Sequence, residues 1–374
     1  MRHLSPLNVV VFATATLTLH ADDPKLIGRI FHSMIWTGKE VLVWGGGSEG
    51  VFHQSGLRFD PTGESRAVIS ERDAPAGRWG HAAVWSGTEM IVWGGRNRFA
   101  AESHFNDGAR YNPATDTWVA ISPSHAPNAR SQMAVAWTGK EMLVWGGYGD
   151  GATAWNSGGG YDPKRDSWRP MSEIASPEAR VLPVFVWTGK EFLIWGGITP
   201  DLKRTFADGA RYDPTIDKWT PMKSDASAPA VWGSKAVWTG TEMIVWGGSL
   251  RNGDDEINQV TGRGAAYDPV QDAWRPICIE GAPSPRFFHD AVWTGKRLLV
   301  WGGGDQGEGG NHPKHFDDGG QYDPLVDRWV PLEWQTRPAA RGMHTAVWTS
   351  RGMVVFGGST GGSSAYSDAA FWKP

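Results

Sequence analysis

A block of roughly 50 residues recurs seven times through this chain, and a repeat of that period constrains the fold more than any other feature. The first part of each block closes on Trp-Thr-Gly or a near variant, at Trp36, Trp85, Trp137, Trp187, Trp238, Trp293 and Trp348. Eight residues later come an aromatic and two glycines, from Trp44-Gly45-Gly46 in the first block to Phe356-Gly357-Gly358 in the last. A variable glycine-rich stretch follows, then Tyr-Asp-Pro-x-x-Asp-x-Trp, clearest at Tyr161 to Trp168 and Tyr212 to Trp219.

Runs such as Met90-Ile91-Val92-Trp93 are short, apolar and β-branched, as buried strands are. Trp-Thr-Gly has the chemistry of a tight hairpin, with glycine free to take positive φ. Tyr-Asp-Pro-x-x-Asp is a second turn, in which proline presets φ and aspartate binds backbone N–H groups. Each block therefore reads as four antiparallel strands, a to d, and seven such blocks as a ring of blades.

The diglycine, the spaced tyrosine and the tryptophan resemble the kelch motif of kelch-domain proteins, galactose oxidase and bacterial sialate mutarotases. The resemblance covers nearly the whole chain. It implies an all-β, seven-bladed β-propeller of four-stranded antiparallel kelch-type blades. The seventh block stops at the c–d turn, so an N-terminal strand, Thr16-Leu17-Thr18-Leu19-His20, is expected to close the last blade. The start of the chain reads as a possible signal peptide over residues 1–15, with the propeller over 16–374. Export to a secreted or periplasmic location is the expectation, with the cytoplasm as the alternative.

With 374 residues, a net charge of −4 and one cysteine, Cys278, the chain excludes internal disulfides and offers no charge-driven pull to nucleic acid. No apolar run is long enough to span a membrane as a helix. A galactose-oxidase-type site needs a cysteine-modified tyrosine near the axis, and Cys278 follows an outer strand. No cofactor and no metal site is expected, and a monomer is.

The long b–c loops and the d–a connections share one rim, the top, where specificity is expected. Arginines recur there seven residues before the strand-a tryptophan, as Arg29, Arg78, Arg130, Arg180, Arg286 and Arg341. Asp107, Asp208, Asp318 and Asp368 recur at the start of strand c, where blades one and three have Ser55 and Ser157. Blade five has Val231 for the arginine and Arg263 for the acid, so the two positions are expected to be neighbours. Two readings follow. Arg–Asp pairs hold the rim together, or the arginines line a funnel for a carboxylate or phosphate. Four histidines four residues before the tryptophan (His32, His81, His289 and His344) read as buried hydrogen-bonding groups. The aromatics Phe105, Trp155, Phe206, Phe316 and Tyr366 read as packing over the blade tops. Arg98 and His315, in irregular loops, complete the candidate ligand contacts with Arg263 and Trp155.

The functional expectation is a non-catalytic binding propeller whose top face holds a protein, peptide or glycan. The alternative is a carbohydrate-active enzyme such as a sialic-acid-type mutarotase with an arginine-lined funnel.

Overall fold

The computed structural model describes residues 27–61, 65–98, 103–251, 259–307, 313–361 and 364–374. Six blades are four-stranded antiparallel sheets in the order a-b-c-d. Blade 2, for instance, runs Ala82–Trp85, Met90–Trp93, Gly108–Asn112 and Thr117–Ala120. Blade 7 has three strands among the described residues, Thr345–Thr349, Gly352–Phe356 and Ala369–Trp372. The expected closing strand over Thr16 to His20, and the leader over 1–15, lie outside the described residues. No helix among the described residues is long and apolar enough to cross a membrane.

The alternation of strand a explains the stacking. Side chains on one face pack on the preceding blade and those on the other face on the following one. Ala82 and Val84 join Met142 and Val144 of blade 3, whereas Ala83 and Trp85 pack with Leu42 and Trp44 of blade 1. Strand b is buried throughout in every blade, as its unbroken apolar composition requires.

Blades are joined at two radii. Near the axis, the second glycine of each diglycine donates its N–H to the carbonyl seven residues before the next tryptophan. Gly46 thus reaches Arg78 at 2.8 Å, Gly197 reaches Val231 at 2.9 Å, and Gly358 of blade 7 reaches Arg29 of blade 1 at 3.0 Å, which closes the ring. Both glycines hold positive φ in every blade, for example 71° and 84° at Gly45 and Gly46. A Cβ at Gly46 would sit 2.7 Å from the Ile30 carbonyl oxygen, so the motif needs glycine on two counts. At the outer edge, the tyrosine of the c–d turn donates to the aspartate five residues on, as Tyr212 to Asp217 at 2.6 Å. The same carboxylate accepts a backbone N–H from the preceding blade, Ser172 at 2.8 Å. Tyr111, Tyr161, Tyr267 and Tyr322 repeat the pairing. Burial and the neighbouring aspartate push these phenols up, which keeps them protonated donors. Cys278 lies two residues beyond strand d of blade 5, and its N–H donates to Asp327.

Candidate functional site

The recurrent arginines are inside the blades. Arg29, Arg78, Arg130, Arg180 and Arg286 are 0% exposed and Arg341 is 1% exposed. Each guanidinium is caged by carbonyls of its own blade. In blade 2, Arg78 donates to the oxygens of Ala76, Gly94 and Asp107 at 2.9, 2.9 and 3.1 Å. The strand-c acid then pairs with it, Asp107 at 2.8 Å, Asp208 at 2.8 Å, Asp318 at 2.7 Å and Asp368 at 2.6 Å. The two rings of positions are therefore neighbours, within one blade. In blades 1 and 3 the hydroxyls of Ser55 and Ser157 replace the carboxylate. Desolvation without a close carboxylate lowers Arg29 to about 10 and Arg130 to about 9, both still charged at neutral pH.

The aromatic column seals these cations from above. Arg78 lies 4.2 Å from the Phe105 ring centroid, Arg180 4.0 Å from Phe206, Arg286 4.2 Å from Phe316 and Arg341 4.0 Å from Tyr366. Trp155 is half-buried over Arg130 at 5.4 Å. In blade 1 the column holds His53, whose ring is pushed down to about 4 by burial and Arg29. Blade 5 lacks the whole device: Val231 is buried, Thr261 stands in the aromatic column, and Arg263 is exposed. Arg263 does not restore the lost cation. The axial channel is correspondingly not an arginine funnel, because these side chains are buried within the blades and none of them lines it. Of the loop candidates, Arg98 is exposed. His315 is half-buried, with burial holding its imidazole down.

The expected buried histidines are wedges between blades. The rings of His81, His289 and His344 stand edge-on to Trp44, Trp246 and Trp301 of the blade before, at 5.1, 5.4 and 4.9 Å. His32 does the same against Phe356 at 5.4 Å and closes the series.

The column between arginine and histidine escapes notice in the sequence because its residues share no chemistry: Phe31, Gly80, Gln132, Leu182, Gly233, Phe288 and Met343. All seven are left-handed, with φ between 51° and 63°. In five of them, Gly80, Gln132, Leu182, Phe288 and Met343, the N–H reaches the carbonyl of the same column in the preceding blade, as in Gln132 to Gly80 at 2.7 Å and Phe288 to Gly233 at 2.8 Å. The column circles the mouth of a channel cavity of about 440 Å³ on the axis. The signal that was available is the pair of glycines in an otherwise variable column.

Across that mouth the apolar side chains meet. Phe31 stacks on Trp79 at 4.9 Å and approaches Phe288 of blade 6 at 6.1 Å. Phe288 in turn packs on Phe287 at 4.7 Å and Trp232 at 5.5 Å. Beside the cluster, a second cavity of about 250 Å³ is lined by Ile30, Phe31, Val51, Phe52, Trp79 and Ala365, with Glu49 and Ser48 at its edge. Val51 is 57% exposed. Arg96 lies 4.3 Å over Trp79 and 5.5 Å from Tyr148, which places a cation along the apolar strip.

Residues 31–232, more than half of the chain, match a family described as the KLHDC2/KLHL20/DRC7 Kelch-repeats domain. Residues 161–371 match the Attractin/LZTR1 beta-propeller. Among curated proteins, the Adagio-like protein 3 of Oryza sativa subsp. japonica is 34% identical over 88 residues, 23% of this chain. That stretch is 13% of the rice protein's length.

Proposed function

We propose that this chain, which belongs to the kelch-repeat β-propeller family, is a recognition module whose top face holds a segment of another protein at the channel mouth. The observation that carries this reading is the left-handed column. Its backbone hydrogen bonds need only glycine, and Gly80 and Gly233 show that glycine serves. The other five positions carry Phe, Gln, Leu, Phe and Met at a conformational cost of about 1 kcal/mol or more each. Side chains kept at strained positions around a half-exposed apolar mouth suit contact with a partner. The cavity beside Phe31 has the shape for one anchoring side chain. Glu49 offers a polar contact at its edge, and Arg96 over Trp79 adds a charge beside the apolar strip, the arrangement of an interface centre with a charged rim.

A photo-crosslinking residue in place of Phe288 is expected to trap a discrete protein adduct from the native source. The same residue in place of Val270, 92% exposed in a c–d turn away from the mouth, is expected to trap none. Equal adducts from both positions, or an adduct from Val270 alone, would remove the top face as the binding surface.

A further inference from the structure

The channel below the mouth is polar on one side only. In each blade the third residue before the strand-a tryptophan turns towards the next blade. Where it is a hydroxyl it partners the next histidine: Ser33 Oγ meets His81 Nε2 at 3.0 Å, and Thr345 Oγ1 meets His32 Nε2. In blades 5 and 6 that residue is Lys235 and Asp290 instead. There the next histidines, His289 and His344, have no side-chain hydroxyl partner and meet only backbone groups, of Trp246 and Arg286 and of Trp301, and they are only 2% and 4% exposed.

The two charged residues are not equivalent. Asp290 is committed to the backbone: its oxygens accept the N–H of Ala291 at 2.8 Å and of Ala346 at 2.7 Å. Lys235 is not. Its ion pair with Asp290 is 3.9 Å long, and its side chain stays 51% exposed although it stands on an innermost strand. That exposure is to the channel, whose wall it forms. An ammonium has three donors, and this one has room for a ligand oxygen. The wall of blades 3 and 4 facing the same cavity is apolar, with Val135, Val184 and Phe185.

We infer that the axial channel beside Lys235 is a binding site for a small carboxylate with an apolar body. The ammonium takes the carboxylate, His289 and His344 line the cavity beside it, and the body lies against Val184 and Phe185. A cavity of about 440 Å³ falls within the size of small-molecule sites, roughly 300–1,000 Å³. A compact anion such as phosphate leaves the apolar wall in water, and a neutral apolar ligand leaves the ammonium unmatched. A metal ion is disfavoured, since no three His, Cys, Asp or Glu residues among those described are grouped to hold one. The site lies inside the channel and stands independently of protein docking above it.

The test is calorimetric titration of the full chain with 4-phenylbutyrate, and with 4-phenylbutyramide and acetate as controls. The acid is expected to bind at least about ten-fold more tightly than either control, a difference set by one charge-assisted contact and one apolar body. Lys235→Met is expected to weaken binding about ten-fold or more, and Lys235→Arg to keep most of it. The Cε1–H signals of His289 and His344 are expected to shift with the acid in the wild-type protein, a readout that needs no variant at Lys235. No binding of the acid, equal binding of acid and amide, or full binding by a folded Lys235→Met variant would overturn the proposal.

Discussion

Arg78→Met is expected to cost about 3–5 kcal/mol of folding free energy in chemical denaturation, among the largest single losses available in this propeller. The reason is the cage. With Arg78 gone, the carbonyls of Ala76, Gly94 and Asp107 lose their donor in a place where water does not reach the 0% exposed side chain. The ion pair itself is the minor part. Asp107 is 56% exposed, so Asp107→Asn is expected to cost less than about 1 kcal/mol. Arg29 and Arg130 support that division, since both stay fully buried with a serine hydroxyl where the other blades have a carboxylate. Equal losses from Arg78→Met and Asp107→Asn would show that the pair, not the carbonyl cage, holds the rim.

Acid is expected to destabilise the fold well above the range where carboxylates titrate. Burial pushes His289 and His81 down to about 3, and His32 and His344 well below the ordinary imidazole value. The cations beside them act in the same direction: Arg286 and Lys235 at His289, Arg341 and Lys235 at His344, and Arg29 at His32. Folded rings stay neutral while unfolded rings take a proton below about pH 6.5, so the unfolded state binds more protons. The stability these rings contribute is complete above pH 6.5 and is lost as pH falls. From pH 6.5 to 5.5 each fully buried ring loses about 1 kcal/mol, roughly 3 kcal/mol for His32, His289 and His344 together. His81, held down to about 3 as well, adds a similar share. Asp290 works the other way: burial pushes its carboxyl up, so its contribution fades as pH rises through that raised value. His344→Met, which copies Met133 of blade 3, is expected to flatten the profile by about one ring's share. Denaturation midpoints measured from pH 8 to 5 test this, and a flat profile between 6.5 and 5.5 would contradict it.

Most of the architecture was legible because the repeat reports it seven times. The tryptophan, diglycine and Tyr-Asp-Pro columns each mark a strand end or turn that glycine, proline and aspartate chemistry dictates. The exchange of arginine between columns in blade 5 correctly revealed that Arg78 and Asp107 are neighbours. What it did not reveal is depth. Sequence spacing places an arginine at a rim, but whether the guanidinium faces solvent or three carbonyls depends on the fold around it. The aromatic column reads as packing, and it packs on the cations themselves. The mouth was invisible for a different reason: left-handed φ is imposed there by hydrogen bonds between blades, and Phe31, Leu182 and Met343 carry no trace of it. The channel asymmetry was equally hidden, since Lys235 and Asp290 become notable only when the partners of the next blade's histidines are known.

The measurement that reaches the central claim most directly is a paired one on the double variant Phe31→Gly, Phe288→Gly: thermal stability, and retention of the protein trapped at the wild-type mouth. Glycine relieves the strain at both positions and keeps the backbone hydrogen bonds, as it does at Gly80 and Gly233. The expected result is a folded propeller with a melting temperature close to wild type and no retained partner. A variant that still holds the partner would show that the mouth is not the recognition surface. A variant that unfolds would show that these side chains serve the ring rather than a ligand.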